Sequence, residues 1–132
     1  MNKISAIVSR VESFENISIV CFTSCNQQLK MMSLELSEDI QIGVSVLLGV
    51  KASNISIAKD FSGSLSISNQ LSTTLVSLNN GNLLTSVKLN FGDAILESII
   101  TLESSKRLNL QENDTVVALI KSSDLSILEV IK

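Results

Sequence analysis

Two short stretches carry the residue types that could hold a ligand. Lys51-Ala52-Ser53 and Lys121-Ser122-Ser123 each place an ammonium group, a hydroxyl and successive backbone N–H groups within three residues. These are the donors with which a protein replaces the water shell of a small anion. An ammonium is a compact charge, a hydroxyl rotates to donate, and consecutive N–H groups in a turn form an anion-binding nest. The plainer reading of a Lys-Ser turn between strands is a solvated hairpin, and both readings stand at this point. Nothing comparable supports catalysis. The chain has no His to serve as a base. Its serines have no base partner placed by spacing, and no phosphate-binding glycine loop or dinucleotide fingerprint occurs. Cys21 and Cys25 lack a second Cys pair or any His, which leaves too few ligands for zinc. They are expected as a core residue and a turn residue of a reduced protein. Glu35, Glu38 and Asp39 read as a solvated loop.

The two Lys-x-Ser stretches sit at equivalent places in a duplicated sequence. Gln41-Ile42-Gly43-Val44-Ser45-Val46 and Val50-Lys51-Ala52-Ser53-Asn54-Ile55-Ser56-Ile57 recur 70 residues later as Gln111-Glu112-Asn113-Asp114-Thr115-Val116 and Ile120-Lys121-Ser122-Ser123-Asp124-Leu125-Ser126-Ile127. Asn2-Lys3-Ile4-Ser5 lines up with Asn69-Gln70-Leu71-Ser72 at an offset of 67, so a small insertion separates the two matches. Such a period is too long for a solenoid unit and fits two copies of one small domain. The turn residues Asp60-Phe61-Ser62-Gly63-Ser64 put the division at residues 1–62 and 63–132. Domains of roughly 65 residues bury only about 60% of their unfolded surface, so docking between halves or subunits is expected to stabilise them.

Proline is absent, glycine is scarce, and apolar residues recur at period two or in short runs, which are strand signatures. The first half predicts strands over 4–11, 17–22, 29–34, 44–50 and 54–59, with Ile17, Ile19 and Cys21 on one face. Residues 37–43 read as a helical turn or connector. Leu65-Ser66-Ile67-Ser68 alternates like an edge strand. The second half predicts strands over 71–78, 83–90, 95–101, 115–120 and 125–131. Asn79-Asn80-Gly81 is a hairpin signal, and 103–108 reads as one or two helical turns that Thr101 or Ser104 would cap. Five short strands and a helical turn per half predict an all-β chain: two tandem small OB-like Greek-key β-barrels, each with a short helical turn. An exposed sheet edge on such a barrel invites pairing with another copy.

The net charge of −3 and the pI near 4.9 argue against a nucleic-acid surface. No apolar stretch approaches the roughly 18 residues of a membrane span, and the first residues lack the apolar run of a signal peptide. A cytoplasmic protein is expected.

The order of motifs resembles a known family. Leu65-Ser66-Ile67-Ser68-Asn69-Gln70-Leu71 resembles the opening of a molbindin (Mop) domain, also called a TOBE domain. Glu97-Ser98-Ile99-Ile100-Thr101 resembles its third strand, and Leu108 to Asp114 its helix end and turn. Val50-Lys51-Ala52-Ser53 matches the family's Lys-Ala-Ser element, and Ile120-Lys121-Ser122-Ser123 is similar to it. The resemblance covers essentially the whole chain as two copies. It implies a cytoplasmic protein that binds molybdate, and often tungstate; with no Trp or Tyr to stack a pterin ring, the bare oxyanion is expected, without a cofactor. It also implies a homotrimer, with anions held at interfaces between barrels and no nucleic-acid or membrane partner. It makes Lys51, Ala52, Ser53, Lys121, Ser122 and Ser123 the first candidates for the oxyanion, Ser66, Ser68, Asn69 and Asn2 the second, and Ser98 the third. The family's usual Arg before Asn is Ser68 here, and its usual Gly is Thr73 in the second copy and Ala6 in the first. Those departures open the alternative of a regulatory or structural interaction module of the same fold with weakened or lost anion binding.

Overall fold

The computed structural model describes residues Met1–Lys132. Ten strands form: β1 (Asn2–Phe14), β2 (Ile17–Ser24), β3 (Gln27–Leu34), β4 (Ser45–Val50), β5 (Ser56–Ala58), β6 (Asn69–Asn80), β7 (Leu84–Phe91), β8 (Ala94–Thr101), β9 (Thr115–Ile120) and β10 (Ser126–Ile131). A single α-helix, α1 (Leu102–Arg107), and two 3-10 turns at Ala52–Asn54 and Ser122–Asp124 complete the order. Alternation sets the inward faces. In β1, Asn2, Ile4, Ala6 and Val8 are buried between exposed Lys3, Ser5 and Ile7. In β6, Asn69, Leu71, Thr73 and Leu75 repeat the pattern. Each strand also slips register once, between Val8 and Arg10 in β1 and between Leu75 and Ser77 in β6. A bulge bends a strand. Here the bend lets the front of β1 pair with β4 and its back pair with β2, and the front of β6 pair with β9 and its back with β7.

The strand order is β10-β4-β1-β2-β3 in one sheet and β5-β9-β6-β7-β8 in the other. Every pairing is antiparallel, and the two curled sheets are OB-like barrels. The halves exchange their last strands. β10 pairs with β4 from Ser126↔Gly49 to Ile131↔Ser45, and β5 pairs with β9 from Ser56↔Leu119 to Ala58↔Val117. The expected division at 62/63 therefore falls in the linker after β5, and each sheet takes one strand across it. Both halves carry the same strand order, so the exchange leaves each sheet with five. The core is aliphatic apart from Phe22 and Phe91, both fully buried. No helix is long and apolar enough to cross a membrane.

Three local expectations are corrected, and the connector at 37–43 is resolved. Ile17, Ile19 and Cys21 do share a face of β2, but it is the outer one, and Cys21 is only half-buried. Val20 and Phe22 on the opposite face are the buried pair. β2 is apolar on both faces, so alternation alone did not orient it. Residues 65–68 form no strand. β9 ends at Ile120, opposite Asn69, so the preceding residues have no ladder partner. The β6–β7 hairpin exists, but its loop is Asn82-Leu83, closed by the Gly81 N–H donating to the Leu84 carbonyl at 2.7 Å. Residues 37–43 form two turns, with Ile40 donating to Ser37 and Val44 to Gln41. The helix of the second half, α1, is capped by Thr101, whose Oγ1 accepts from the Ser104 N–H at 3.1 Å.

Candidate functional site

The two Lys-x-Ser stretches adopt the same conformation. Lys51 (φ −71°, ψ 144°) and Lys121 (φ −66°, ψ 145°) are extended, and each leads from the end of β4 or β9 into a 3-10 turn. Asn54 donates to the Lys51 carbonyl and Asp124 to the Lys121 carbonyl, both at 2.9 Å. The first N–H groups of such a turn have no acceptor within it; they belong to Ala52 and Ser53 in one half and to Ser122 and Ser123 in the other. No side chain caps either turn. The chain's ion pairs engage Arg10, Lys59, Lys88 and Arg107, leaving Lys51 and Lys121 unpaired. Lys51, Ser53, Lys121 and Ser123 are exposed, and Ala52 and Ser122 half-buried. Each turn thus combines an uncommitted ammonium and free amides with hydroxyl donors, Ser53 in the first and Ser122 and Ser123 in the second.

Register places the second candidates beside these turns. Asn2 pairs with Val50, the residue before Lys51, and Asn69 pairs with Ile120, the residue before Lys121. Their carboxamides, however, are spent on the protein. Asn2 Nδ2 donates to the Glu97 carbonyl at 2.8 Å, and its Oδ1 accepts from the Glu97 N–H at 2.7 Å. Asn69 does the same to Lys30, at 2.9 Å and 2.6 Å. Each Asn binds an edge strand of the opposite barrel through both backbone groups of one residue. Ser98 is also committed: its buried Oγ donates to the Ile55 carbonyl at 2.5 Å. Asn2, Asn69 and Ser98 therefore hold the seam together, with no hydrogen-bonding atom of Asn69 left exposed enough to serve as an open donor. Ser68 lies at the exposed end of the β6–β9 ladder, on the side of Lys121, while Ser66 is exposed in the linker two residues earlier.

Two groups result. One contains Asn2, Lys51, Ala52 and Ser53, with Glu97 and Ser98 of β8 against the turn. The other contains Ser68, Asn69, Lys121, Ser122 and Ser123, with Lys30 of β3 against the turn. The seams differ in detail. At the second, Gln27 adds another two-way grip, accepting from the Ser72 N–H at 2.8 Å and donating to its carbonyl at 3.2 Å. At the first, the matching position in β8 is Ala94, the Ser5 carbonyl accepts instead from Ser24 Oγ at 2.7 Å, and a cleft of about 520 Å³ opens between Ser5 and Ala94. The Glu97 carboxyl is held below its ordinary range by the Ser86 hydroxyl at 2.5 Å and by Lys88 at 3.6 Å. Lys30, Glu97 and Gln27 were not singled out by sequence. The repeated Asn was the only signal available, and it does not name a partner 95 residues away.

No group of three or more His, Cys, Asp or Glu side chains comes together to hold a metal ion. The two turns offer hydrogen-bond donors and an ammonium charge.

Residues 65–127 match the TOBE domain family. Eighteen chains of known structure also match. Among them is the crystal structure of the cytoplasmic molybdate-binding protein ModG with molybdate bound, at 23% identity and a TM-score of 0.89. The alignment covers 96% of this chain and 94% of that one. Comparison with the curated proteins finds no match. At this identity the ModG likeness speaks for the fold alone, which it matches over nearly the whole length of both chains. The TOBE match falls on the half that contains Asn69, α1 and Lys121.

Proposed function

We propose that both halves are TOBE (Mop) domains and that the chain binds molybdate or tungstate inside the cell, for storage or homeostasis. The observation that carries this reading is the congruence of the two Lys-x-Ser turns. Each has free amides, at least one free hydroxyl and an unpaired Lys, within a fold that matches a molybdate-bound protein over nearly its length. A tetrahedral dianion is costly to desolvate unless several donors replace its water, and each turn supplies three kinds. Both turns lie on exposed surface, so enclosure of the anion calls for a second wall. A homotrimer, with anions between barrels of neighbouring copies, supplies that wall.

Ser68 in place of an Arg, together with the commitment of the Asn2, Asn69 and Ser98 side chains, favours a second reading. In it the module keeps the fold and assembly for regulatory or structural interaction and binds anions weakly. Equilibrium dialysis against molybdate, tungstate and sulfate separates the two. The first reading predicts retention of molybdate or tungstate over sulfate at micromolar protein, with loss in the Lys51→Ala, Lys121→Ala double variant. Equal and negligible retention of all three anions supports the second.

A further inference from the structure

The two halves present related apolar patches with opposite charge. On the first barrel, the register Phe14↔Ile17 and Ile17↔Leu34 sets three large apolar side chains in one outward row. They are 79%, 50% and 70% exposed. On the second barrel, Leu84 occupies the position equivalent to Ile17, and Leu83 and Leu84 are 80% and 54% exposed. Next to each patch runs the connector that follows the third strand of its half. In the first half that connector carries Glu35, Glu38 and Asp39, with Glu38 and Asp39 exposed and unpaired. In the second half it contains α1, whose Lys106 is unpaired and whose Arg107 shares its charge with Glu103 at 3.0 Å. Lys106 and Arg107 line one cleft with Leu83, Leu84, Leu102 and Glu103, which leaves its rim with one net positive charge.

Isolated exposed apolar residues are ordinary, but rows of them rimmed by charge mark contact surfaces. Opposite charges across a contact select the partner, and like charges reject the wrong one. We propose that these are the two sides of one interface between copies of this chain. The Phe14/Ile17/Leu34 patch of one copy docks on the Leu83/Leu84 patch of the next, with Glu38 and Asp39 facing Lys106 and Arg107. First-half patches repel each other through their acidic rims, and so do second-half patches through their basic ones. The contact therefore joins unlike halves. It is head-to-tail at the level of the chain, and such a contact closes into a ring when its rotation is a whole fraction of a turn, as the trimer proposed above requires. This inference rests on the assembly proposed above and names the surfaces that build it.

Sedimentation velocity on charge-reversed chains tests the pairing, with circular dichroism confirming that each variant keeps its strand signal. The wild-type chain is expected to sediment as a closed oligomer. Glu38→Lys with Asp39→Lys, or Lys106→Glu with Arg107→Glu, is expected to weaken association by roughly tenfold or more. All four reversals in one chain are expected to restore it. Leu34→Ser with Leu84→Ser removes the apolar centre without touching the helix and is expected to yield monomer. An oligomer indifferent to both reversals and to the serine pair overturns this pairing of surfaces while leaving the trimer and its oxyanion sites standing. A four-fold variant that fails to recover also overturns it. A monomeric wild-type chain overturns the assembly itself.

Discussion

Asn69 grips Lys30 by both of its backbone polar groups, accepting from the N–H at 2.6 Å and donating to the carbonyl at 2.9 Å, from a side chain fully shielded from solvent. Asn2 grips Glu97 in the same way across the other seam. A carboxamide carries an acceptor and a donor group on one rigid plane, so it substitutes for a stretch of β-ladder where β6 meets β3, and β1 meets β8, with no strand pairing between them. Both clamps sit one ladder position from a Lys-x-Ser turn and fix the distance between that turn and the opposing barrel.

Truncating the clamp should cost stability. Asn69→Ala leaves a donor and an acceptor of Lys30 without partners, and each such loss costs about 1–3 kcal/mol. Urea unfolding should show a drop of about 2–6 kcal/mol for Asn69→Ala. Asn2→Ala, whose site is slightly more open, should lose less. A change within about 0.5 kcal/mol, the range of ordinary surface substitutions, would show that the seam does not depend on the clamp.

Ser98→Ala separates structure from ligation. The Ser98 hydroxyl donates to the Ile55 carbonyl, so its loss should lower stability by about 1 kcal/mol and leave oxyanion affinity unchanged. Isothermal titration with molybdate, compared between wild type and variant, reads the second half of that statement. A several-fold weaker affinity with unchanged stability would return Ser98 to the ligand set.

Lys59 follows the exchanged strand β5 and latches it to the second barrel. Its ammonium meets Asp114 at 2.9 Å and the Asn109 carbonyl at 2.7 Å. The Asp114 carboxyl lies below its ordinary value through the hydrogen bond from Lys59 and a second from the Gln111 N–H. A folded-state pKa that is depressed contributes stability above the unfolded value, and that stability is lost as pH falls through the folded one. Asp114→Asn should therefore differ from wild type by a constant amount from neutral pH down to about 5. The gap should close as the pH drops below about 4, where the unfolded carboxyl takes up its proton. Urea midpoints measured from pH 7 to 2 give the curve, and a gap that persists at pH 2 would exclude the latch as its source.

Gly92 is required by both its own backbone and a neighbour. Its φ is +58°, and a Cβ there would lie 2.1 Å from the Cys25 sulfur. Gly92→Ala should destabilise through positive-φ strain of about 1–2 kcal/mol and through the clash. Adding Cys25→Gly should recover the clash component, once the strain that Gly relieves at Cys25's own φ of +52° is subtracted through the single variant. Additive effects in the double-mutant cycle would mean that the two turns do not touch.

The strand exchange predicts how fragments behave. Residues 1–62 lack β10 and residues 63–132 lack β5, so each fragment leaves one edge of its sheet unpaired. Separately produced fragments should combine one-to-one when mixed, with chemical shifts matching the intact chain. Fragments that fold separately and do not combine when mixed would contradict a stabilising exchange.

The repeat, the strand alternation and the equivalence of the Lys-x-Ser turns were legible in the sequence because they are local patterns. Ile4, Ala6 and Val8 declare a half-buried strand wherever it ends up. The Thr101 cap needs only a neighbour three residues away. What was illegible depends on tertiary connectivity. The order of strands is identical whether β5 stays with its own half or crosses, so no pattern could announce the exchange. Asn69 beside Lys-x-Ser reads as a ligand residue until its partner Lys30, 39 residues away, is seen to occupy both ends of its amide. Ile17, Ile19 and Cys21 misled because the alternate residues Val20 and Phe22 are equally apolar, and only packing decides between two greasy faces.

The central claim is that a small oxyanion sits against both Lys-x-Ser turns. Crystals grown with molybdate and measured at the molybdenum absorption edge locate the metal directly by its anomalous scattering. Peaks are predicted within hydrogen-bonding reach of the Ala52 and Ser53 amides and of the Ser122 and Ser123 amides, and absent at both turns in the Lys51→Ala, Lys121→Ala variant. Molybdenum bound only elsewhere, or none bound at either turn of the wild-type protein, would contradict it.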